Sequence, residues 1–291
     1  MHRDAIDSAL AARLVAAQFP RWAGLPVVPV ALPGWDNRTF RLGDTMTVRM
    51  PTAEGYVASV EKEHTWLPRL APRLPLPIPV PLALGAPSAD YPWPWSVRRW
   101  IDGHVCTRTR IRDEVAFARD LADFLVALQH ADTADGPAAG AHCFHRGAPP
   151  DYYDGETREA IATLGPLIDG PAATDVWKTA LAATHEGPPV WFHGDIASGN
   201  LLLDGHGDLS AVIDFGTSGV GDPACDLVIA WTLFEGESRA EFRRRVPADE
   251  AMWARARGWA LWKALITLDH PEHGPKSARV AEEVLADHRA V

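Results

Sequence analysis

Cysteine is scarce: Cys106, Cys143 and Cys225 are the only three in 291 residues, and no two form a C-x-x-C pair. Their wide spacing argues against a disulfide framework or a zinc ribbon and fits a reducing cytoplasm. Long apolar runs are lacking as well. No uninterrupted stretch reaches the ~20 residues that span a bilayer, and the opening segment, with Arg3, Asp4, Asp7 and Arg13, has no export signal. Neither a membrane span nor a membrane partner is expected. Positive charge is in deficit, 28 Lys and Arg against 38 Asp and Glu, for a net charge of −10. Residues 1–100 hold about 11 cations and 8 anions, so nearly all the excess negative charge lies beyond them. Such a field repels nucleic acid and favours cationic small molecules, although an acidic surface also serves solubility alone.

The length suffices for two lobes and a substantial core. Residues 5–19 have helical apolar spacing, closed by Pro20. From Val27 the pattern changes to short β runs, "VVPVAL", "RTFRL" and "TMTVRM", the last two joined by the Gly43-Asp44 dipeptide of a tight hairpin. "YVASVEKEHTWLPRL" returns to helical spacing, and "LPLPIPVPLAL" and "WSVRRW" suit short or edge strands. "IDGH", from Ile101, reads as a turn between lobes, so the expected division is 1–100 and 101–291. From Asp113 the chain is mostly helical, with a Gly, Ala and Pro-rich loop over 132–150 and helical patterns near Tyr153–Leu167 and Ala172–Thr184. A β interlude, "VWFHGD", "NLLLD" and "LSAVIDF", interrupts the helices, which resume from Ala224. No repeat or low-complexity segment is visible.

That interlude concentrates the chemistry. "WFHGDIASGN" places Asp195 and Asn200 five residues apart just after an apolar run. A hairpin turning at Gly205–Gly207 would return Asp214 to the neighbourhood of Asn200. Two carboxylates and an amide oxygen converging at one sheet end suit Mg²⁺, a hard ion that takes one or two carboxylates plus substrate phosphates. Phosphoryl transfer needs such a set, together with a group that accepts the proton of the attacking hydroxyl.

"HGDIASGN" resembles the H-G-D-x-x-x-x-N catalytic loop of the aminoglycoside phosphotransferase family of small-molecule kinases. "IDFG" resembles the family's metal-binding segment, and "GDPACDL", from Gly221, its G-D-P-x-x-D-L element. The resemblance covers roughly residues 25–235 and implies an α+β, two-lobed protein-kinase-like fold, with an N-terminal antiparallel sheet lobe and a mainly helical C-terminal lobe. It implies Asp195 as catalytic base, Asn200 and Asp214 as magnesium ligands, His193 as structural, and Asp222 and Asp226 as braces of the catalytic loop. The implied cofactors are Mg²⁺ and ATP or GTP as phosphoryl donor.

In the first lobe, "GWDNRTFRL" would lie over the nucleotide phosphates with Asn37 as a donor, but its single glycine equally suits an ordinary hairpin loop. Related kinases hold the α and β phosphates with a lysine on the third strand; Arg49 stands there, able to make bidentate phosphate contacts but not a neutral replacement. Glu63 would pair with Arg49 from the inserted helix, with Glu61 as its rival. "WSVRRWIDG", including Trp100, would form the strand and hinge behind the base.

The implied partner is a hydroxylated small molecule, a cationic antibiotic of the aminoglycoside type first, with Asp151, Asp154, Glu156, Glu235 and Glu237 as candidate contacts to its amines. A macrolide is the alternative, favoured if Trp253, Trp259 and Trp262 line the cleft rather than the core. A non-catalytic nucleotide-binding homologue is the reading from another class, set against the intact Asp195, Asn200 and Asp214. A protein kinase is disfavoured because only a few residues separate Asp214 from "GDPACDL", leaving no room for a long activation segment. "HCFH" lacks the second ligand pair of a zinc site, "DGHGD" lacks the ligand series of an EF-hand, and Arg243–Arg245 read as a solvated helix face.

Overall fold

The computed structural model describes residues 2–31, 34–164 and 167–291. Residue 32, the end of the expected "VVPVAL" strand, and residues 165 and 166, inside the expected Tyr153–Leu167 helix, lie outside them. Helix α1 (Ser8–Gln18) starts where the Asp7 carboxylate accepts the Leu10 N–H at 2.7 Å and stops before Pro20. It covers a five-stranded antiparallel sheet made of β1 (Val27–Pro29), β2 (Asn37–Leu42), β3 (Met46–Pro51), β4 (Pro81–Gly85) and β5 (Trp95–Arg99), in the order β1-β2-β3-β5-β4. Ile6, Leu10 and Leu14 pack there against Phe40, Val48, Trp95 and Val97, all nearly devoid of solvent. The β2–β3 loop has three residues rather than the two of a tight hairpin, because Leu42 pairs with Met46 and Gly43 takes the left-handed φ of 59°.

Helix α2 (Ala58–Leu70) is the inserted helix, and it serves two masters. Val60 and Glu63 turn inward, while Leu67 and Leu70 join a second, larger apolar cluster built mostly from residues beyond 100. That cluster is organised by α3 (Glu114–Gln129), α4 (Asp154–Leu164), α5 (Gly170–Ala182), α6 (Ile229–Thr232), α7 (Gly236–Arg245), α8 (Glu250–Ile266) and α9 (Gly274–Arg289). Helix α8 lies at its centre, with twelve of its seventeen residues buried. Trp253, Trp259 and Trp262, at 4%, 2% and 4% exposure, are therefore core residues.

Small strands carry the segment of interest to the surface of this helical mass. β6 (His104–Val105), β8 (Leu201–Leu203) and β9 (Leu209–Val212) form one antiparallel sheet, and β7 (Val190–Phe192) pairs with β10 (Gly219–Gly221). The β8–β9 turn closes on Asp204, whose carboxylate accepts the N–H groups of His206 and Asp208, so "DGHGD" is a hairpin turn held by its own first aspartate. No helix among the described residues is long and apolar enough to cross a membrane.

Candidate active site

β7 ends at Phe192 and delivers His193, Gly194 and Asp195 to one end of the small sheets. The turn needs a glycine: Gly194 has φ 85°, and a side chain there would meet the Thr217 carbonyl oxygen at 2.5 Å. Asp226 fixes the turn from below by accepting the His193 and Gly194 N–H groups, each at 2.7 Å. Burial raises the Asp226 carboxyl to about 6, and those two donors with His193 act in the opposite direction. His193 is fully buried, with its Nε2 3.0 Å from the Ile213 carbonyl oxygen. Asp222 caps the turn that follows β10 and forms a buried ion pair with Arg255, 2.6 Å apart. These contacts put His193, Asp222 and Asp226 beneath the loop, with Asp195 at its surface.

Asn200 returns its side chain to Asp195, its Nδ2 donating to both the backbone oxygen and Oδ2 at 2.9 Å. With the amide nitrogen so used, the Asn200 carbonyl oxygen is the atom left to face a cation. The β8–β9 hairpin brings the next segment alongside: Ile213 N–H donates to the Asn200 backbone oxygen at 2.8 Å, and Asp214 follows in a left-handed conformation, φ 67°. That backbone is uncommon for a residue with a side chain and is the kind of local strain that surrounding structure must impose. Asp36, Asp195 and Asp214 lie near enough that burial and the Asp214 charge together raise the Asp36 carboxyl. Such a concentration of carboxylates beside one guanidinium fits a hard divalent cation, which Asp214 and Asn200 could hold. Among the described residues no group of three or more His, Cys, Asp or Glu side chains is arranged as a metal site of its own. Magnesium, with one or two protein ligands and the rest from phosphates and water, does not need one.

On the sheet side, Arg49 projects from β3 and contacts Asp214 directly, with Glu63 at 3.5 Å. Against the cost of burial, Arg49 holds the Asp214 carboxyl below its ordinary range. Glu63 has a closer partner in Arg98 of β5, whose guanidinium meets it in a two-pronged contact with Nη1 to Oε1 at 3.0 Å. Glu61 is exposed, so of the two rival glutamates Glu63 is the one that reaches Arg49. Asn37 is not in an open loop: it is the first residue of β2, 4% exposed. Oriented to satisfy its surroundings, its amide oxygen accepts from Arg49 Nε and Nη2 at 3.1 and 3.0 Å. Trp100 follows β5, its indole donating to Asp102 at 2.7 Å beneath the Arg41 guanidinium.

Lys62, next to Glu63 on α2, turns toward the Asp214 segment and donates to the carbonyl oxygens of Gly216 and Ser218 at 2.7 and 2.8 Å. Burial draws its ammonium down to about 8. One helix thus braces both the arginine and the segment carrying Asp214.

The side facing α8 is different. Lys263 reaches Asp195 Oδ1 at 2.8 Å and, with His193 and Arg146, holds the carboxyl below its ordinary range despite burial. Arg146 stacks over Trp262, 4.4 Å from the ring centroid, and also faces Trp259 and Tyr153. The anionic residues expected to meet an acceptor are mostly occupied. Asp154 accepts from Arg158 and the Trp177 indole at 2.7 and 2.8 Å, Glu156 from the Trp262 indole at 2.6 Å, and Glu235 bridges Arg108 and Arg279. Asp151 and Glu237 face solvent.

The sequence reading did not find Arg98, Lys62, Lys263, Arg146 or Asp36. Lys263 had a visible mark, a single cation in the apolar run "WALWKALI"; the others lie in segments whose local pattern says only strand, helix or loop.

Comparison with known proteins bears on the family and the fold. The sequence profile of the phosphotransferase enzyme family, APH, matches residues 28–259. No match is found among curated protein sequences. Among solved structures, the GDP complex of wild-type aminoglycoside 2′-phosphotransferase-IIIa superposes with a TM-score of 0.74 at 17% identity, over 97% of this chain and 99% of that one. The streptomycin–ATP ternary complex of APH(2″)-IIa gives 0.60 at 18% identity, covering 97% and 96%. Macrolide 2′-phosphotransferase MphH from Brachybacterium faecium gives 0.59 at 20% identity, covering 94% and 98%. The fold is shared across all of them: a mixed α+β, kinase-like architecture with an antiparallel sheet followed by a helical region. With most of its length matched by the family profile, the chain belongs to the phosphotransferase enzyme family.

Proposed function

We propose that this protein is a kinase that moves the γ-phosphoryl group of a magnesium nucleotide, ATP or GTP, to a hydroxyl of a small-molecule acceptor. The observation that carries the reading is the convergence of Asp195, Asn200, Asp214 and Arg49 at one end of the small sheets. Asp195 Oδ1 would take the proton from the acceptor hydroxyl, while Asn200 fixes the other carboxylate oxygen and so the direction of the first. The hydroxyl oxygen would bond to the γ phosphorus as the bond to the β–γ bridging oxygen breaks, leaving a nucleoside diphosphate. Arg49 would meet the phosphates, and Asp214 and Asn200 would hold Mg²⁺, which supplies charge neutralisation on the phosphate oxygens. The sheet-side apolar cluster, drawn wholly from residues 6–97, supports a nucleotide lobe within 1–100, and the larger cluster supports a catalytic and acceptor lobe, 101–291, although Leu67 and Leu70 of α2 and Ile78 pack with the latter.

The family and the aminoglycoside-bound neighbours support an aminoglycoside acceptor. The residues beside Asp195 weigh the other way: Lys263 and Arg146 are cations, and of the anionic candidates Asp154 and Glu235 already have arginine partners. An acceptor of low positive charge is therefore favoured beside Asp195, although the burial of Trp253, Trp259 and Trp262 removes the aromatic cleft wall that would have favoured a macrolide in particular. The test is turnover of ATP and of GTP with magnesium against aminoglycosides, macrolides and neutral or anionic polyols, with mass detection of an added phosphate. Asp195→Ala is expected to lower transfer by about 10²–10⁴-fold, the usual contribution of a positioned base, with nucleotide binding retained. Equal turnover in that variant and wild type would remove Asp195 from the reaction.

A further inference from the structure

We propose that the acceptor carries an oxyanion, a carboxylate, phosphate or sulfate, and that Lys263 is the residue that binds it beside the reacting hydroxyl. The inference rests on the kinase reading and narrows it to a substrate class. It begins with the two oxygens of Asp195. Oδ2 is taken by the Asn200 amide, and Oδ1, the atom that would receive the acceptor's proton, is occupied by the Lys263 ammonium at 2.8 Å. An incoming hydroxyl must share or replace that ammonium. The pair is open to exchange, since Lys263 and Asp195 are 48% and 36% exposed and ion pairs of this kind contribute little net stability. A displaced ammonium is left without its carboxylate partner, and an oxyanion on the acceptor provides a new one.

Further cations stand nearby. Lys276 of α9 lies close enough to Lys263 and Arg279 that, with burial, their charges lower its ammonium. Arg146, stacked on Trp262 of the same helix as Lys263, adds its field to Asp195, its guanidinium held in place by contacts at 3.3 Å to the Phe144 carbonyl oxygen and the Tyr153 hydroxyl. Glu235 and Glu283 are spent on Arg279, which leaves Lys263, Lys276 and Arg146 as the cations for a ligand; Glu156, bonded to the neutral Trp262 indole, keeps its charge. A polycationic acceptor would bring like charges against Lys263 and Arg146. An acceptor with a single oxyanion next to its hydroxyl would draw Lys263 off Oδ1 and leave that oxygen free to take the proton.

Calorimetric titration of sodium sulfate into protein loaded with magnesium and a non-hydrolysable ATP analogue tests this, because the analogue fills the phosphate site at Arg49. Wild type is expected to bind sulfate, with affinity falling about tenfold or more in Lys263→Gln and largely restored in Lys263→Arg. Asp195→Ala is expected to bind sulfate more tightly than wild type, since Lys263 then has no competing carboxylate. No binding by wild type, or equal binding by Lys263→Gln, overturns the proposal. Magnesium-dependent nucleotide hydrolysis by wild type and Asp195→Ala, measured on the same preparations, reports separately on the kinase reading. Sulfate binding lost in Lys263→Gln with hydrolysis unchanged in Asp195→Ala would sink the base while leaving the oxyanion contact standing.

Discussion

The two walls that meet at Asp195 and Asp214 hold their charges in opposite ways. On the sheet side, Glu63 and Arg98 are 1% and 3% exposed, and Arg49 joins them to Asp214. On the α8 side, one half-exposed lysine touches one half-exposed aspartate. A buried ion pair is weak evidence for stability yet costly to break, because the survivor is left as an uncompensated charge in low dielectric. An exposed pair is screened by water and exchanges readily with other partners. The sheet-side wall is therefore built to keep one arrangement, and the α8-side wall has a contact that can be exchanged.

The sharpest way to break that contrast is to remove one partner on each side. Arg98→Met is expected to cost about 3–5 kcal/mol in denaturant unfolding, because Glu63 keeps only the 3.5 Å contact to Arg49. Lys263→Gln, measured alongside it, is expected to stay within about 1 kcal/mol of wild type. Similar losses in the two variants would erase the distinction between the walls.

A smaller effect is expected from Arg49→Ala, read as affinity for the magnesium nucleotide. Loss of a charged donor to phosphate corresponds to about tenfold or more in Kd. Unchanged affinity would mean that Arg49 serves Asp214 and Asn37 alone, as an internal strut rather than a phosphate contact.

The smallest expected effect is a pH dependence within the sheet wall. Burial and the Arg98 charge hold His64 down at about 4, below its ordinary 6.5, with Nε2 2.9 Å from the Ser96 hydroxyl. The unfolded chain then binds the extra proton between those values. Stability from this group is fully present above about 6.5 and is lost as pH falls toward 4. Asp226, raised to about 6, works in the opposite sense, since its folded form keeps a proton that the unfolded chain has released. His64→Gln is therefore expected to lose less stability than wild type between pH 6.5 and 4 in thermal melts. Parallel losses would show that His64 is not held neutral by its surroundings.

How much of this was readable in advance depends on how far apart the interacting residues lie. Asp195 and Asn200 are five residues apart on one turn, and Asp214 follows on the adjoining strand of a short hairpin, so their approach follows from local spacing. The helix starts at Asp113 and Asp249 are equally local, each carboxylate accepting an N–H two or three residues ahead. The β2–β3 loop was misjudged by one residue because Gly-Asp suits more than one hairpin length, and the paired strand, not the dipeptide, decides which. The partners that three of the anionic candidates find within the protein were unreadable for a related reason. A glutamate looks the same in the sequence whether solvent or an arginine faces it, and Glu235 meets Arg279 only because α9 returns across α7's start.

By itself the sequence determined the order of sheet and helices, the catalytic-loop motif and the family to which it belongs, because periodicity, turn residues and a short motif are properties of contiguous chain. Tertiary structure alone decided the charge balance of each wall. Arg98 meets Glu63 across 35 residues, Lys263 meets Asp195 across 68, and Arg49 meets Asp214 across 165. No local pattern encodes such pairings. They arise when the packing of apolar faces brings distant segments together, and the charges those segments carry must then find partners in the space that remains.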